Sequence, residues 1–424
     1  MSEMFEPGIW QEVASPFCGI ASDDITIKVD GKTVTVLENE DPIVKAGFET
    51  PFTDTSPRIK CNNASLEEAV SFITNAMRES SQSVIGGMGT DLNGARSVMA
   101  LADKSNSTID HMNSEGAFRN LLVLQDTGWM NTTLTEVRNR VDLLLVVASD
   151  IESSFPRFFE RMVWNKESMF GQDIESRQVV YLGKAPSGDA STSPQGKKAQ
   201  VIACDDNDLP EVLSVLRALV NGRQLQADSV GGIPLSVLFT LAEQLKQASY
   251  SVVTWSASML GFDHAEASVQ MLCETVKDLN AETRCSGLPL SGKEGDTTAN
   301  HVSAWQSGYP VRTSFNRGYP EYDPYLFNSQ RMLADGEVDT LIWVSSFDIN
   351  RTPPKTDATT IVLGRSGMTF EQEPDVFIPV GTPGIDHAGR TFRTDSVVAV
   401  PLQKLRDSDL PSTFDVLTAV EQAL

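Results

Sequence analysis

From residue 83 onward, short runs of almost wholly apolar residues recur: SVIGG, DLLLVVA, QVVYL, QVIAC, SVVTW, DTLIWVS, ATTIVL and DVFIPV. Between them lie longer stretches whose apolar residues return at helical spacing. Apolar runs of strand length alternating with helices are the mark of an open α/β sheet. The first helix is especially legible. Ser65-Leu66-Glu67-Glu68 forms a capping box, and Leu66, Ala69, Val70, Ile73 and Met77 follow on one face, predicting a helix to about Glu79. Ahead of it, DITIKVDGKTVTVL alternates apolar and polar residues around Asp30-Gly31, predicting a β-hairpin with a type I′ turn. The loop GKAPSGDASTSPQGKK reads as a mobile linker. The closing helix is expected over about 414–423.

Composition narrows the function classes. The 424 residues carry 57 Asp plus Glu against 34 Lys plus Arg, a net charge of −23. Such a chain repels phosphate backbones and anionic lipid, so neither nucleic acid nor a membrane is an expected partner. No apolar run approaches the roughly 18 residues of a membrane span, and the acidic start MSEMFEPGIW lacks the features of a secretory signal. A cytoplasmic protein is expected. Five scattered cysteines, Cys18, Cys61, Cys204, Cys273 and Cys285, do not suggest a disulfide framework.

Among local motifs, Ser15-Pro16-Phe17-Cys18-Gly19-Ile20-Ala21-Ser22 has the spacing of an iron–sulfur cluster loop at positions 15, 18 and 22. Only Cys18 carries sulfur, and one thiolate cannot hold a cluster. Histidines 111, 264, 301 and 387 show no zinc-site spacing. Gly86-Gly87-Met88-Gly89 lacks the full dinucleotide fingerprint and reads as a structural turn, and Gly292-Lys293-Glu294-Gly295 is no phosphate loop.

The segment around Cys18 resembles the cluster loop of the B subunit of formylmethanofuran dehydrogenase, in which three cysteines precede Asp-Asp. The resemblance runs on through Leu124-Gln125-Asp126-Thr127-Gly128 and Thr133 to Asp142, then Leu279-Asn280 with Thr283-Arg284. It continues in Trp305-Gln306-Ser307-Gly308-Tyr309-Pro310 and Asn316-Arg317-Gly318-Tyr319-Pro320, and in Asp375 to Val380 leading to Gly384-Ile385-Asp386 and Gly389 to Arg393.

It implies an α/β fold of the molybdopterin-oxidoreductase kind, with two doubly wound, Rossmann-like units and a small N-terminal β module. The expected domains are 1–56 for the β module with its degenerate cluster loop, 57–155 with 331–424 for a discontinuous first α/β domain, and 156–330 for the second.

The departures from the family bear on function. Ser15, Cys18 and Ser22 stand for the cluster cysteines, no cysteine lies near Ile43 to Gly47 where a fourth is expected, and Ser114-Glu115-Gly116 stands where the family's molybdenum or tungsten ligand lies. Cys61, the nearest substitute, is expected to be a half-buried structural cysteine. Soft metals and clusters need thiolates. The resemblance therefore implies a chain without cofactor or catalytic residues of its own, like the beta subunit of the formyltransferase/hydrolase complex. Expected partners are its alpha, gamma and delta subunits, in a complex converting formyl-tetrahydromethanopterin to formate via formylmethanofuran. The alternative is a molybdenum- or tungsten-pterin redox subunit interconverting CO2 and formylmethanofuran. Arg312, Arg317, Arg390 and Arg393 form a candidate anion cleft, with methanofuran's glutamyl chain as its candidate ligand.

Overall fold

The computed structural model describes every residue except 1–3, Pro7, Asp54 and Gln172. It divides into two compact units, residues 1–114 with 292–424, and residues 115–291. Among the described residues no helix is long and apolar enough to cross a membrane.

The first unit is built on a nine-stranded sheet. Its centre consists of Thr108–Ile109, Ser83–Gly89, Thr340–Ser345, Thr359–Arg365 and Val376–Val380, side by side in that order and all parallel. Antiparallel two-residue strands finish both edges. The sheet is buried on both faces. Ile342 and Val344 join one apolar cluster with residues of helices Leu66–Glu79, Leu92–Ser105 and Thr413–Ala423, whereas Leu341 and Trp343 join another with Met332 and Met368. Two-sided burial explains why these strands read as unbroken apolar runs. In chain order the parallel strands lie second, first, third, fourth, fifth. The winding direction therefore reverses between Ser83–Gly89 and Thr340–Ser345, and a crevice at the carboxyl ends of such a pair is where open α/β sheets bind ligands.

The N-terminal module is an antiparallel sheet of Met4–Glu6, Ile9–Val13, Ile25–Asp30 and Thr33–Glu38. Its core of Ile25, Ile27, Val34, Val36 and Phe48 is completed by Ile385 and Leu405, which makes it part of the first unit. The hairpin is present, but Asp30 pairs with Thr33 and leaves Gly31-Lys32 as the turn. Only Gly31 has positive φ (+58°), so the turn is not the expected type I′, which needs two such residues.

The second unit holds a five-stranded, wholly parallel sheet in the order Gln200–Ile202, Gln178–Leu182, Leu143–Val147, Ser251–Trp255, Cys285–Pro289. Helices Leu209–Val220, Leu235–Gln247 and Ala265–Leu279 supply much of its core. The expected seams after residues 155 and 330 are thereby moved to 114/115 and 291/292. Leu143–Val147 lies at the middle of the second sheet, between Gln178–Leu182 and Ser251–Trp255, so residues 115–155 belong there. Thr313–Ser314 pairs with Thr108–Ile109, which draws residues 292–330 into the first unit.

Candidate functional site

At the reversal point of the first unit, Ser83–Gly89 ends in its glycine turn. Gly87 has φ +75°, and a Cβ there would lie 2.5 Å from the Val344 carbonyl oxygen. Glycine is thus required by the close approach of two strands. The turn is also covered. Ser346 donates to the Gly89 carbonyl from both its backbone N (2.7 Å) and its hydroxyl (2.9 Å), and a Cβ on Gly89 would meet the Met112 methyl at 2.9 Å.

The loop carrying Cys18 is closed at its neck by the Ser15 N–H donating to Ser22 O at 2.8 Å. Ala21 N–H donates to Cys18 O across the tip, also at 2.8 Å. All three cluster-spaced side chains are buried. Burial pushes the Cys18 thiol up to about 12, so it is protonated at neutral pH. Phe17 packs edge-on against Phe48 and Phe347, and its ring occupies the space over Gly47, where a Cβ would approach to 2.3 Å. The segment expected to hold a fourth thiol is helix Pro42–Phe48, capped by Asp41. Cys61 is not half-buried as expected. It is exposed and left-handed (φ +68°) between the short edge strands Arg58–Ile59 and Asn62–Asn63. The donors present, one protonated thiol and two hydroxyls, do not fit a thiolate-held cluster.

In the segment Ser114 to Gly116, expected to correspond to the family's metal-ligand region, the Ser114 hydroxyl accepts from Arg312 Nε at 3.2 Å. Beside it is a polar network that sequence reasoning missed. Gly292 (φ +93°), Glu294 (φ +49°) and Gly295 (φ +73°) are all left-handed. This winding brings Glu294 Oε2 to Asn113 Nδ2 at 2.6 Å and to Arg351 Nη2 at 3.3 Å. His111 is fully buried. Its Nδ1 accepts from Asn113 N at 3.0 Å, so the proton sits on Nε2, which donates to Glu294 O at 3.1 Å. Burial lowers its pKa to about 4, which keeps the ring neutral. Asp296, at the start of helix Asp296–Ser307, is raised to about 7, first by burial and then by the charge of Glu294. The only sequence signal for this network was the glycine spacing of SGKEGD.

The four arginines of the candidate anion cleft differ in their settings. Arg312 is 3% exposed, 3.7 Å from Asp110 Oδ1, and donates to Pro324 O at 2.7 Å, so it is committed within the fold. Arg393 forms a bidentate pair with Asp395 at 2.9 and 2.6 Å. Arg317 is exposed and pairs with Glu321 at 3.2 Å, and Arg390 is exposed on the hairpin strand Gly389–Phe392. Each is bound to a different neighbour or exposed. Among the described residues no three His, Cys, Asp or Glu side chains converge as a metal site.

No protein-family model matches the chain. It is 25% identical over 414 residues to the B subunit of the tungsten-containing formylmethanofuran dehydrogenase 2 of Methanocaldococcus jannaschii, covering 94% of each chain. It is 26% identical over 333 residues to the B subunit of the formyltransferase/hydrolase complex Fhc of Methylorubrum extorquens, covering 77% of this chain and 85% of that one. The crystal structure of the Methylorubrum extorquens FhcABCD complex with methylofuran superposes with a TM-score of 0.73 at 24% identity, over 87% of this chain and 98% of the matched one. Acetylene hydratase from Pelobacter acetylenicus superposes with a TM-score of 0.62 at 8% identity, over 97% and 69%. The chain has the molybdopterin-type α/β fold and is a homologue of the B subunits of formylmethanofuran dehydrogenase and of the Fhc complex.

Proposed function

We propose that the chain is a noncatalytic structural subunit of a cytoplasmic formyltransferase/hydrolase-type complex. In this reading the complex converts formyl-tetrahydromethanopterin to formate through formylmethanofuran, and alpha, gamma and delta subunits carry the chemistry. The chain binds neither a cluster nor a metal pterin. One observation carries the reading: the places of the family's sulfur ligands hold a buried, protonated Cys18 and the hydroxyls of Ser15, Ser22 and Ser114, the last already bonded to Arg312. A partner surface is supported by Trp305, Tyr309, Tyr319, Tyr325 and Leu326, large apolar side chains exposed within one short stretch.

The full-length similarity to tungsten-containing dehydrogenase subunits favours a second reading, a redox subunit whose metal is held by pterin dithiolenes alone. Elemental mass spectrometry for molybdenum, tungsten and iron on the natively purified complex separates the two. Metal-free complex that still releases formate is the expected result. About one molybdenum or tungsten per chain would overturn the proposal.

A further inference from the structure

The second unit contains a cavity of about 210 Å3 at the amino-terminal ends of its edge strand Gln200–Ile202 and the neighbouring strand Gln178–Leu182. This is the end of the strands opposite to the one where doubly wound sheets usually bind ligands. One wall is the loop expected to be a mobile linker, and the loop is anchored instead. Glu152 accepts from Ala190 N (3.1 Å) and Ser191 N (2.8 Å), Trp164 Nε1 donates to Ala190 O at 3.0 Å, and Ser191 and Ser193 are buried.

Two polar groups on the cavity wall lack partners among the described residues. Arg177 is 2% exposed and directs Nη1 to Val163 O (2.6 Å) and Met162 O (3.3 Å), and Nη2 to Arg138 O (2.9 Å). Its Nε is buried with no hydrogen-bond partner. Carbonyl oxygens take its Nη protons, and the carboxylate that acts on its charge, Asp142, does not line the cavity. Gln244 also lines the cavity, with Oε1 buried and unbonded, and its amide can present either its oxygen or its NH2. Lys197 and Lys198 stand on the same wall, placed by a tight turn in which Ser193 N donates to Lys197 O at 2.9 Å and Lys197 N to Ser193 Oγ at 3.1 Å. Among the described residues three cations and no carboxylate line the cavity, in a chain with 57 acidic residues against 34 basic. A positively lined cavity favours an anion, and the Gln244 amide, turned so that its NH2 faces inward, donates to it.

We propose that this cavity is a binding site for a small oxyanion, a phosphoryl or carboxylate group seated against the Gln244 amide and the Lys197-Lys198 side chains, with the buried charge of Arg177 in the wall behind them. Nothing in the proposal depends on the first unit or on the fate of the metal cofactors. It is tested by isothermal titration of the full-length protein with inorganic phosphate and, separately, with malonate at constant ionic strength. Lys197→Ala plus Lys198→Ala and Gln244→Leu serve as variants, with unchanged circular dichroism as the folding control. Saturable binding is expected, with a dissociation constant rising about tenfold in the double lysine variant. Binding of phosphate alone assigns a phosphoryl ligand, binding of malonate alone assigns a carboxylate, and binding of both supports the shared chemistry. No saturation by either anion, or affinities unchanged in both variants, overturns the assignment.

Discussion

Asn113 Nδ2 donates to Glu294 Oε2 at 2.6 Å and to Lys293 O at 3.1 Å, so one amide fixes a backbone turn and the carboxylate that the turn presents. The turn holds a non-glycine residue at φ +49°, a conformation that costs of order 1 kcal/mol unless its surroundings impose it. Asn113→Ala is expected to lower stability by about 1–3 kcal/mol, because it leaves the Lys293 carbonyl and the Glu294 carboxylate short of a donor. Urea denaturation of the variant checks this, and a change under about 0.5 kcal/mol would show the turn to be held by other means.

Asp296 and His111 make opposite contributions to the pH dependence of stability. The raised pKa of Asp296 means that the folded state holds its proton longer, so its contribution to stability falls as pH rises from about 4 to about 7. His111, lowered to about 4, holds its proton less well when folded, so its contribution rises with pH from about 4 to about 6.5. The two slopes cancel over most of that window. Asp296→Asn is expected to expose the rising slope and His111→Asn the falling one, each at most about 1.4 kcal/mol per pH unit. Parallel stability–pH curves for wild type and both variants would contradict it.

The packing of Phe17 over Gly47 predicts the effect of a single methyl group. Gly47→Ala puts a Cβ within 2.3 Å of an aromatic ring wedged between Phe48 and Phe347, and overpacking of this kind costs about 1–3 kcal/mol. A lowered melting temperature, restored by Phe17→Leu in the same chain, is the expected result. A normal melting temperature would mean that the loop is free to move aside.

Cysteine burial predicts an order of alkylation. Cys61 is exposed, whereas Cys18, Cys273 and Cys285 are buried, with thiols pushed up to about 12, 12 and 11. Iodoacetamide under native conditions is expected to label Cys61 first and the three buried thiols only on unfolding. Peptide mass spectrometry reads the order, and early labelling of Cys18 would show that its loop opens.

Exposed aromatics on the segment from Trp305 to Leu326 predict a separation of folding from assembly. Tyr325→Asp plus Leu326→Asp is expected to leave the melting temperature of the isolated chain unchanged and to release it from its partners on size-exclusion chromatography. Co-elution of the variant with the complex would place the interface elsewhere.

Much of the fold was legible because its determinants are local. The capping box at Ser65 is present with bonds of 3.1 and 2.8 Å, and the helix it starts ends at Glu79. The apolar runs became strands because both faces of each sheet are covered. Strand Cys285–Pro289 went unseen because Gly287 and Pro289 interrupt its pattern, although it pairs with Ser251–Trp255 along its whole length. The domain seams were misplaced because strand order is a long-range property, and no local signal tells that Leu143–Val147 is central to the second sheet. At the candidate site the missing sulfur was readable from residue identity alone. The Glu294 network was not, since it depends on left-handed backbone at a glutamate and on partners far along the chain.

The strand arrangement also sets an order of assembly. Ser346 hydrogen-bonds to Gly89 across 257 positions, and the central ladder of the first sheet joins Ser83–Gly89 to Thr340–Ser345. The second unit, by contrast, is one uninterrupted stretch of chain. During synthesis, its five parallel strands are all available before the middle strands of the first sheet have been made. The strand Ser83–Gly89, apolar and lacking its neighbour Thr340–Ser345, must wait through that interval, which makes it a segment of the nascent chain in need of protection.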